Sequence, residues 1–379
     1  MNRMTKPTSR GGLTDLLRFL FSLMVLIYHS YSFSSSPKTA LGTGGYIGVD
    51  FFFILSGVYL AASAGRKNSP VTGDGAGTSN VGLDTLNYMG RRLSRIYPEF
   101  IVAMLIALFA GMLLNIRSLG TIPKALNRAI GEWTMLQQSG FHNTGGIVSA
   151  TWYLSALLIT SLLLYPMARK YRDGFLYVLA PLIFIALFGY TWQNLKTLQN
   201  PKDMLNSVIC QGLLRGIMEM ALGCFIYGLA RKAEGLRLKP VPRGLLTLVE
   251  CAIYVGILIF YMTGKHKNKL DWNIVLLLGL AQLITQSKLS FSDEYIKGRL
   301  FTFLGAFSFD LYLGHRFWSI NLNSIRFLAP LSYHKKLIAY FLISMAAALV
   351  IMYGARLLRW AASRLLNWAV MPEQSAKDD

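Results

Sequence analysis

Acidic residues are scarce in this chain: 18 Asp and Glu stand against 38 Lys and Arg among 379 residues, a formal net charge of +20. Charged residues make up only 15% of the sequence and hydrophobic ones 53%. Cysteine is rarer still. Cys210, Cys224 and Cys251 have no metal-binding or redox spacing, so they read as small apolar fillers. Long polar stretches are missing too, because hydrophobic runs recur from end to end at a mean hydropathy of +0.42. These properties exclude a soluble domain with a single anchor and leave a polytopic membrane protein. Nucleic acid, a common partner of basic chains, is excluded because the cations sit in short gaps between apolar runs, with no basic face or aromatic ladder.

A bilayer helix needs about 20 apolar residues. Runs that qualify fall at 14–32, 48–64, 96–115, 150–167, 174–190, 212–230, 244–262, 272–286, 300–318 and 337–355. The expected fold is all-α, one bundle of about ten transmembrane helices. With the N-terminus inside, the segments on its side hold 23 Lys and Arg against 12 on the other, which puts both termini in the cytoplasm. The opening MNRMTKPTSRGG is basic, but the following run lacks a small-residue cleavage site and is a first span rather than a removed signal peptide. Three parts are expected: a cytoplasmic segment 1–13, a membrane domain 14–355 and a cytoplasmic tail 356–379. The Gly-, Ser- and Asn-rich stretch predicts a mobile inner loop at about 65–85, and the longest outer loop, about 116–149, suits a short helix or lid. No internal repeat is visible, which weighs against an inverted-repeat transporter.

Against this apolar background the polar residues stand out. In DLLRFLFSLMVLIYHSYSF, Arg18 and His29 are eleven residues apart, three helical turns, so both face one way with ~16 Å of rise between them. Asp15 lies on the same side. Arg18 alone could snorkel to headgroups and His29 alone could join two helices, but a polar stripe at depth tends to line a cavity. The next run, GYIGVDFFFILSGVYL, brings Asp50 to the same end as His29, where a carboxylate could fix the imidazole tautomer and leave the other nitrogen basic. Ser56 and Gly57 suit a close approach by a helix or a thin ligand. Arg91, Arg92 and Arg95 precede Pro98; on a helix Arg91 and Arg95 share a face suited to phosphate oxygens, although charge bias alone would also place them there. Trp152 and Tyr153 suit an aromatic belt or a substrate wall, and Arg215 and Glu219 an ion pair or a polar route. Asp310 and His315 follow in the ninth run, so two histidines and two aspartates suggest a common polar chamber. His142, His266 and His334 have no assigned role, and no spacing matches a metal site.

In order along the chain, TDLLRFLFSLMVLIYH, GYIGVDFFFILSG, RRLSRIYP, TWYLSALL and FSFDLYLGH resemble the successive blocks of the integral-membrane acyltransferase-3 family, whose members O-acylate cell-surface carbohydrates. The resemblance implies a membrane-bound O-acetyltransferase of the bacterial cytoplasmic (inner) membrane. Its donor would be a coenzyme A thioester, usually acetyl-CoA, with no metal, and its acceptor a hydroxyl of a lipid-linked or surface glycan such as lipopolysaccharide or capsule. It further implies that His29 is the base or acyl relay with Asp15, Arg18 and Asp50 around it. Arg91, Arg92, Arg95 and Ser56 would serve the coenzyme, and Trp152, Tyr153, Asp310 and His315 the acceptor. A separate envelope glycan-processing protein is an expected partner. Two positions depart from the family pattern: Leu16 replaces a glycine, and the fourth span lacks a glutamate, whose role Glu219 could take.

Whether His29 deprotonates the acceptor directly or carries the acyl group is open at this stage. Two other functions fit the residues without the resemblance: a proton-coupled transporter or flippase of envelope precursors, and a non-catalytic envelope assembly protein.

Overall fold

The computed structural model describes residues 11–35, 40–66, 80–140, 146–205, 208–263 and 269–369. Helix α1 (Gly12–Tyr28) passes directly into a 3₁₀ turn, His29–Phe33, and is followed by α2 (Gly48–Ala64) and α3 (Val81–Leu113). Short helices α4 (Ile122–Arg128) and α5 (Ile130–Trp133) lead to α6 (Trp152–Gly174), a π turn (Phe175–Leu179) and α7 (Ala180–Asn194). A small antiparallel hairpin, β1 (Met204–Leu205) with β2 (Ile209–Cys210), precedes α8 (Gln211–Lys232). The chain continues through α9 (Pro240–Thr263), α10 (Leu270–Ser287), α11 (Ser292–Tyr295), α12 (Arg299–Asn321) and α13 (Tyr333–Ala369).

Seven helical stretches among the described residues are long and apolar enough to cross a membrane: Gly12–Phe33, Gly45–Ala64, Val81–Leu113, Trp152–Asn194, Gln211–Lys232, Pro240–Thr263 and Tyr333–Leu365. The chain is a largely helical, multi-pass membrane protein. The longest stretch, Trp152–Asn194, is itself a hairpin. Its backbone leaves helical geometry at Arg172, whose Nη1 donates to Gly65 O at 2.9 Å at the end of α2. Beyond that bend α7 runs antiparallel to α8, with Tyr177 hydroxyl on Gly228 O at 3.0 Å and Thr191 hydroxyl on Met218 Sδ at 3.6 Å. Each of the ten apolar runs falls almost wholly on a helix. α10 and α12 are the more polar ones, carrying Asp271 and Gln282, and Asp310, His315 and Arg316.

α8 is the hub, packed against α2, α6, α7 and α10, while α12 joins α1 to α13. The α2–α8 approach depends on Gly57 and Gly223, because a Cβ on either would stand 2.1 Å from Met220 O or 2.0 Å from Ile54 O. Backbones this close gain dispersion contacts, the main attraction between helices in lipid. At the Arg91 end, Arg169 bonds Asp84 at 2.7 Å and the carbonyls of Ala64 and Arg66, satisfying the end of α2. Asp293 of α11 accepts the Leu13 N–H at the start of α1, and burial pushes its carboxyl above the usual range.

Helix ends outrun the apolar runs that marked them. α3 starts at Val81, where the Asn80 side chain accepts the Leu83 N–H at 3.1 Å, so residues 81–85 are helix and not loop. Residues 67–79 of that expected loop lie outside the described residues. α13 continues past 355 to Ala369, since hydropathy marks only what lipid would cover, whereas helix hydrogen bonding carries on into water. The 116–149 stretch does form short helices, its 141–145 portion lying outside the described residues. Cys210 and Cys224 are buried, but Cys251 is exposed on α9 and fills nothing.

Candidate functional site

A cavity of about 640 Å³ opens at the end of the bundle where α1 gives way to its 3₁₀ turn. His29 begins that turn and lines the cavity. Its ring stacks on that of His315, with centroids 5.1 Å apart and planes 27° apart, and its buried Nδ1 has no hydrogen-bond partner among the described residues. His315, fully buried on α12, has Nδ1 at 2.7 Å from Tyr312 O and 3.2 Å from Leu311 O. A carbonyl only accepts, so Nδ1 carries the proton and Nε2 holds the lone pair of the neutral ring. That Nε2 is also buried without a partner among the described residues. Next to it, Arg316 lines the cavity and donates from Nη1 to Ser32 Oγ at 2.8 Å and Ser319 Oγ at 3.1 Å, and from Nη2 to Tyr31 hydroxyl at 3.5 Å.

Two buried carboxylates hold the walls. Glu132 of α5 gathers the N–H groups of Ile147 at 2.5 Å, Val148 at 3.2 Å and Ser149 at 2.7 Å, and the Thr151 hydroxyl at 3.0 Å. With its acceptor capacity taken up by the loop, it sets Ser149, Ala150 and Trp152 on the cavity. Tyr312 clamps the same loop through a hydrogen bond to Ala150 O. Opposite, Asp271 accepts the Tyr46 and Thr197 hydroxyls, both at 2.8 Å, and the Leu198 N–H at 2.9 Å, while Gln199 donates to Tyr28 hydroxyl at 2.9 Å. Sequence reasoning missed Glu132 and Asp271. Each sits at an unremarkable loop or helix start, and the groups that engage it carry no motif.

Asp50 lies elsewhere than expected. It pairs with Arg215 of α8, not with His29, and no carboxylate bonds the imidazole among the described residues. Arg215 Nε also meets Glu219 at 3.2 Å, Nη1 donates to Leu198 O at 2.9 Å and Nη2 to Tyr46 O at 3.1 Å. A guanidinium offers five donors in a fixed fork, and α2 packs close enough on α8 to bring Asp50 within its reach. The side chains of all three charged residues are at most 1% exposed, and Arg215 reaches the cavity wall.

The other predicted residues spread along the bundle. Arg18 pairs with Asp15 at 3.3 Å, Asp15 is packed against Gly305 of α12, and neither lines the cavity. Trp152 does line it. Tyr153 stands behind the wall, its ring 5.8 Å from that of Tyr312 and its hydroxyl 3.4 Å from Ser56 Oγ. Arg91 and Arg95 are exposed on α3 with no carboxylate paired to them among the described residues, whereas half-buried Arg92 bonds Tyr88 hydroxyl. Open guanidiniums on one helix face fit phosphate oxygens. Asp310 is buried on α12, but its charged neighbours are Glu99, Arg356 and Arg359, and it does not line the cavity. The expected chamber of two histidines and two aspartates is therefore not formed: His29 lines the cavity with Arg215 and Arg316, His315 only backs the His29 ring, and neither Asp50 nor Asp310 lines it. His334 lies on α13, and His142 and His266 lie outside the described residues.

The family model described as an acyltransferase domain, acyltransferase-3, matches residues 14–357. Comparisons with curated proteins and with solved structures return no match.

Proposed function

Since the chain belongs to the acyltransferase-3 family, we propose that it transfers an acetyl or other short acyl group from a coenzyme A thioester to a hydroxyl of a lipid-linked or surface glycan. The observation that carries this reading is His29, an imidazole with an unpartnered nitrogen on a cavity of about 640 Å³, a size suited to small polar ligands. The protein crosses the bacterial inner membrane ten times with both termini in the cytoplasm. In support, α1 begins and α13 ends at the Arg91 end of the bundle, where basic residues also concentrate.

Arg91 and Arg95, with Arg92 beside them, bind the coenzyme phosphates on the cytoplasmic side, and the pantetheine arm extends between helices past Ser56 and Tyr153. Arg18, held by Asp15, flanks that path. At the cavity, His29 takes the proton of the acceptor hydroxyl as its oxygen bonds to the thioester carbonyl carbon. The tetrahedral intermediate collapses with loss of the C–S bond, and the proton returns from His29 to the departing thiolate sulfur. Trp152 lines the acceptor side, and His315 backs the His29 ring. The Asp50–Arg215–Glu219 cluster holds α2, α8 and the Leu198 segment in place and takes no part in proton transfer.

The test is a proteoliposome assay with radiolabelled acetyl-CoA on the face bearing Arg91 and a lipid-linked glycan as acceptor. Labelled ester on the glycan is the expected result. Movement of the glycan across the bilayer without label, and without need of a thioester, would instead mark a flippase.

A further inference from the structure

Only three of the chain's 38 Lys and Arg fall inside the apolar runs: Arg18, Arg215 and Arg316. A cation in such a place is costly unless an opposite charge accompanies it. Asp15 serves Arg18, and Asp50 with Glu219 serves Arg215. Arg316 has no carboxylate within ion-pair distance among the described residues. Its partners there are the hydroxyls of Ser32, Ser319 and Tyr31, which accept hydrogen bonds but bring no charge. These use Nη1 and, weakly, Nη2, so part of the guanidinium fork is left for something else.

Arg316 lines the cavity that His29 lines. It follows His315, on whose ring the His29 ring is stacked. The other charged residues of the lining are Lys202 and Asp203, adjacent in sequence, and Arg215, which is ion-paired behind the wall with Asp50 and Glu219. Of the two arginines in the lining, Arg316 is the one with no ion pair among the described residues, and it shares the cavity with the base.

We propose that Arg316 is the anion site of the acceptor pocket, and that the acceptor carries a carboxylate or phosphate near the hydroxyl that is acylated. This rests on the acyl-transfer reading of His29. A cavity of about 640 Å³ has room for little more than the reacting sugar and its neighbour, so the anion belongs to one of those two. Docked on Arg316, it supplies the negative charge that Asp50 does not, and it offsets the positive charge formed on His29 as the imidazole takes the hydroxyl proton. A neutral glycan leaves the guanidinium without a counter-charge and is discriminated against at binding.

The test is isothermal titration of the full chain in nanodiscs, without thioester, using methyl β-glucuronide, glucose 6-phosphate and neutral methyl β-glucoside. At least one anion is expected to bind about tenfold more tightly than the neutral sugar, the gain from one charge-assisted pair; which anion it is tells carboxylate from phosphate. Arg316→Gln is expected to abolish the preference. Arg316→Lys, which keeps the charge, and Ser32→Ala, which removes a strut but not the charge, are expected to retain it. Equal binding of all three sugars by the wild type overturns the proposal, as does a preference that survives Arg316→Gln or disappears in Ser32→Ala. A protein that shows the preference yet transfers no acyl group keeps the anion site and sinks the reaction instead.

Discussion

Arg215 and Arg316 are guanidiniums on apolar helices that reach the same cavity, yet their surroundings differ. Arg215 is closed in by two carboxylates and two main-chain carbonyls, while Arg316 has three hydroxyls and the face of the Tyr31 ring, with no carboxylate paired to it among the described residues. The first is a joint: it ties α2, α8 and the Leu198 segment together, and its fork is almost fully used. The second keeps donors and charge available on a surface that a ligand can reach. In a lipid-embedded bundle, the completeness of an ion's partners separates structure from function better than its burial does.

The sharpest way to break this contrast is to remove the joint. Arg215→Ala would leave Asp50 and Glu219 buried and unpaired, a loss of about 3–5 kcal/mol. It is expected to abolish monodisperse protein on size exclusion; a well-folded variant would refute the structural role. Glu132→Ala strips the 147–151 loop of its acceptor and leaves buried N–H groups unsatisfied, for a loss of about 2–3 kcal/mol. A lowered thermal midpoint together with weaker acceptor binding is the expected signature. Arg91→Ala combined with Arg95→Ala should raise KM for acetyl-CoA about tenfold with kcat little changed, in keeping with lost phosphate contacts. An unchanged KM would place the coenzyme elsewhere. The smallest effect belongs to Asp310→Asn: with Glu99, Arg356 and Arg359 as its charged neighbours and no place on the cavity, it should shift acceptor KM by less than about twofold. A larger shift would restore it to the acceptor site.

The helices were legible because bilayer thickness imposes a length that hydropathy reveals. The place of His29 on a cavity was legible for a related reason, since an imidazole closing an apolar run tends to line one. Pairings between helices were not legible. Arg215 and Glu219, four apart, could be matched by helical spacing, but the third member of their cluster is Asp50, 165 residues away, and nothing local to Asp50 names its partner. The same limit produced the misplaced chamber: Asp310 and His315 share a helix, yet five residues of helical rotation send them to different neighbours. Glu132 was invisible because a carboxylate that organises a loop carries no pattern of its own. Arg316, next to a histidine already singled out, acquires its meaning only once no carboxylate among the described residues is found within ion-pair distance of it.

The measurement that bears most directly on the account is single-turnover acyl transfer by reconstituted His29→Ala beside wild type, with monodispersity and thermal midpoint matched. The account predicts that label reaches the glycan with the wild type and that the variant is slower by about 10²–10⁴, the contribution of a positioned base. Transfer by His29→Ala at the wild-type rate would contradict it.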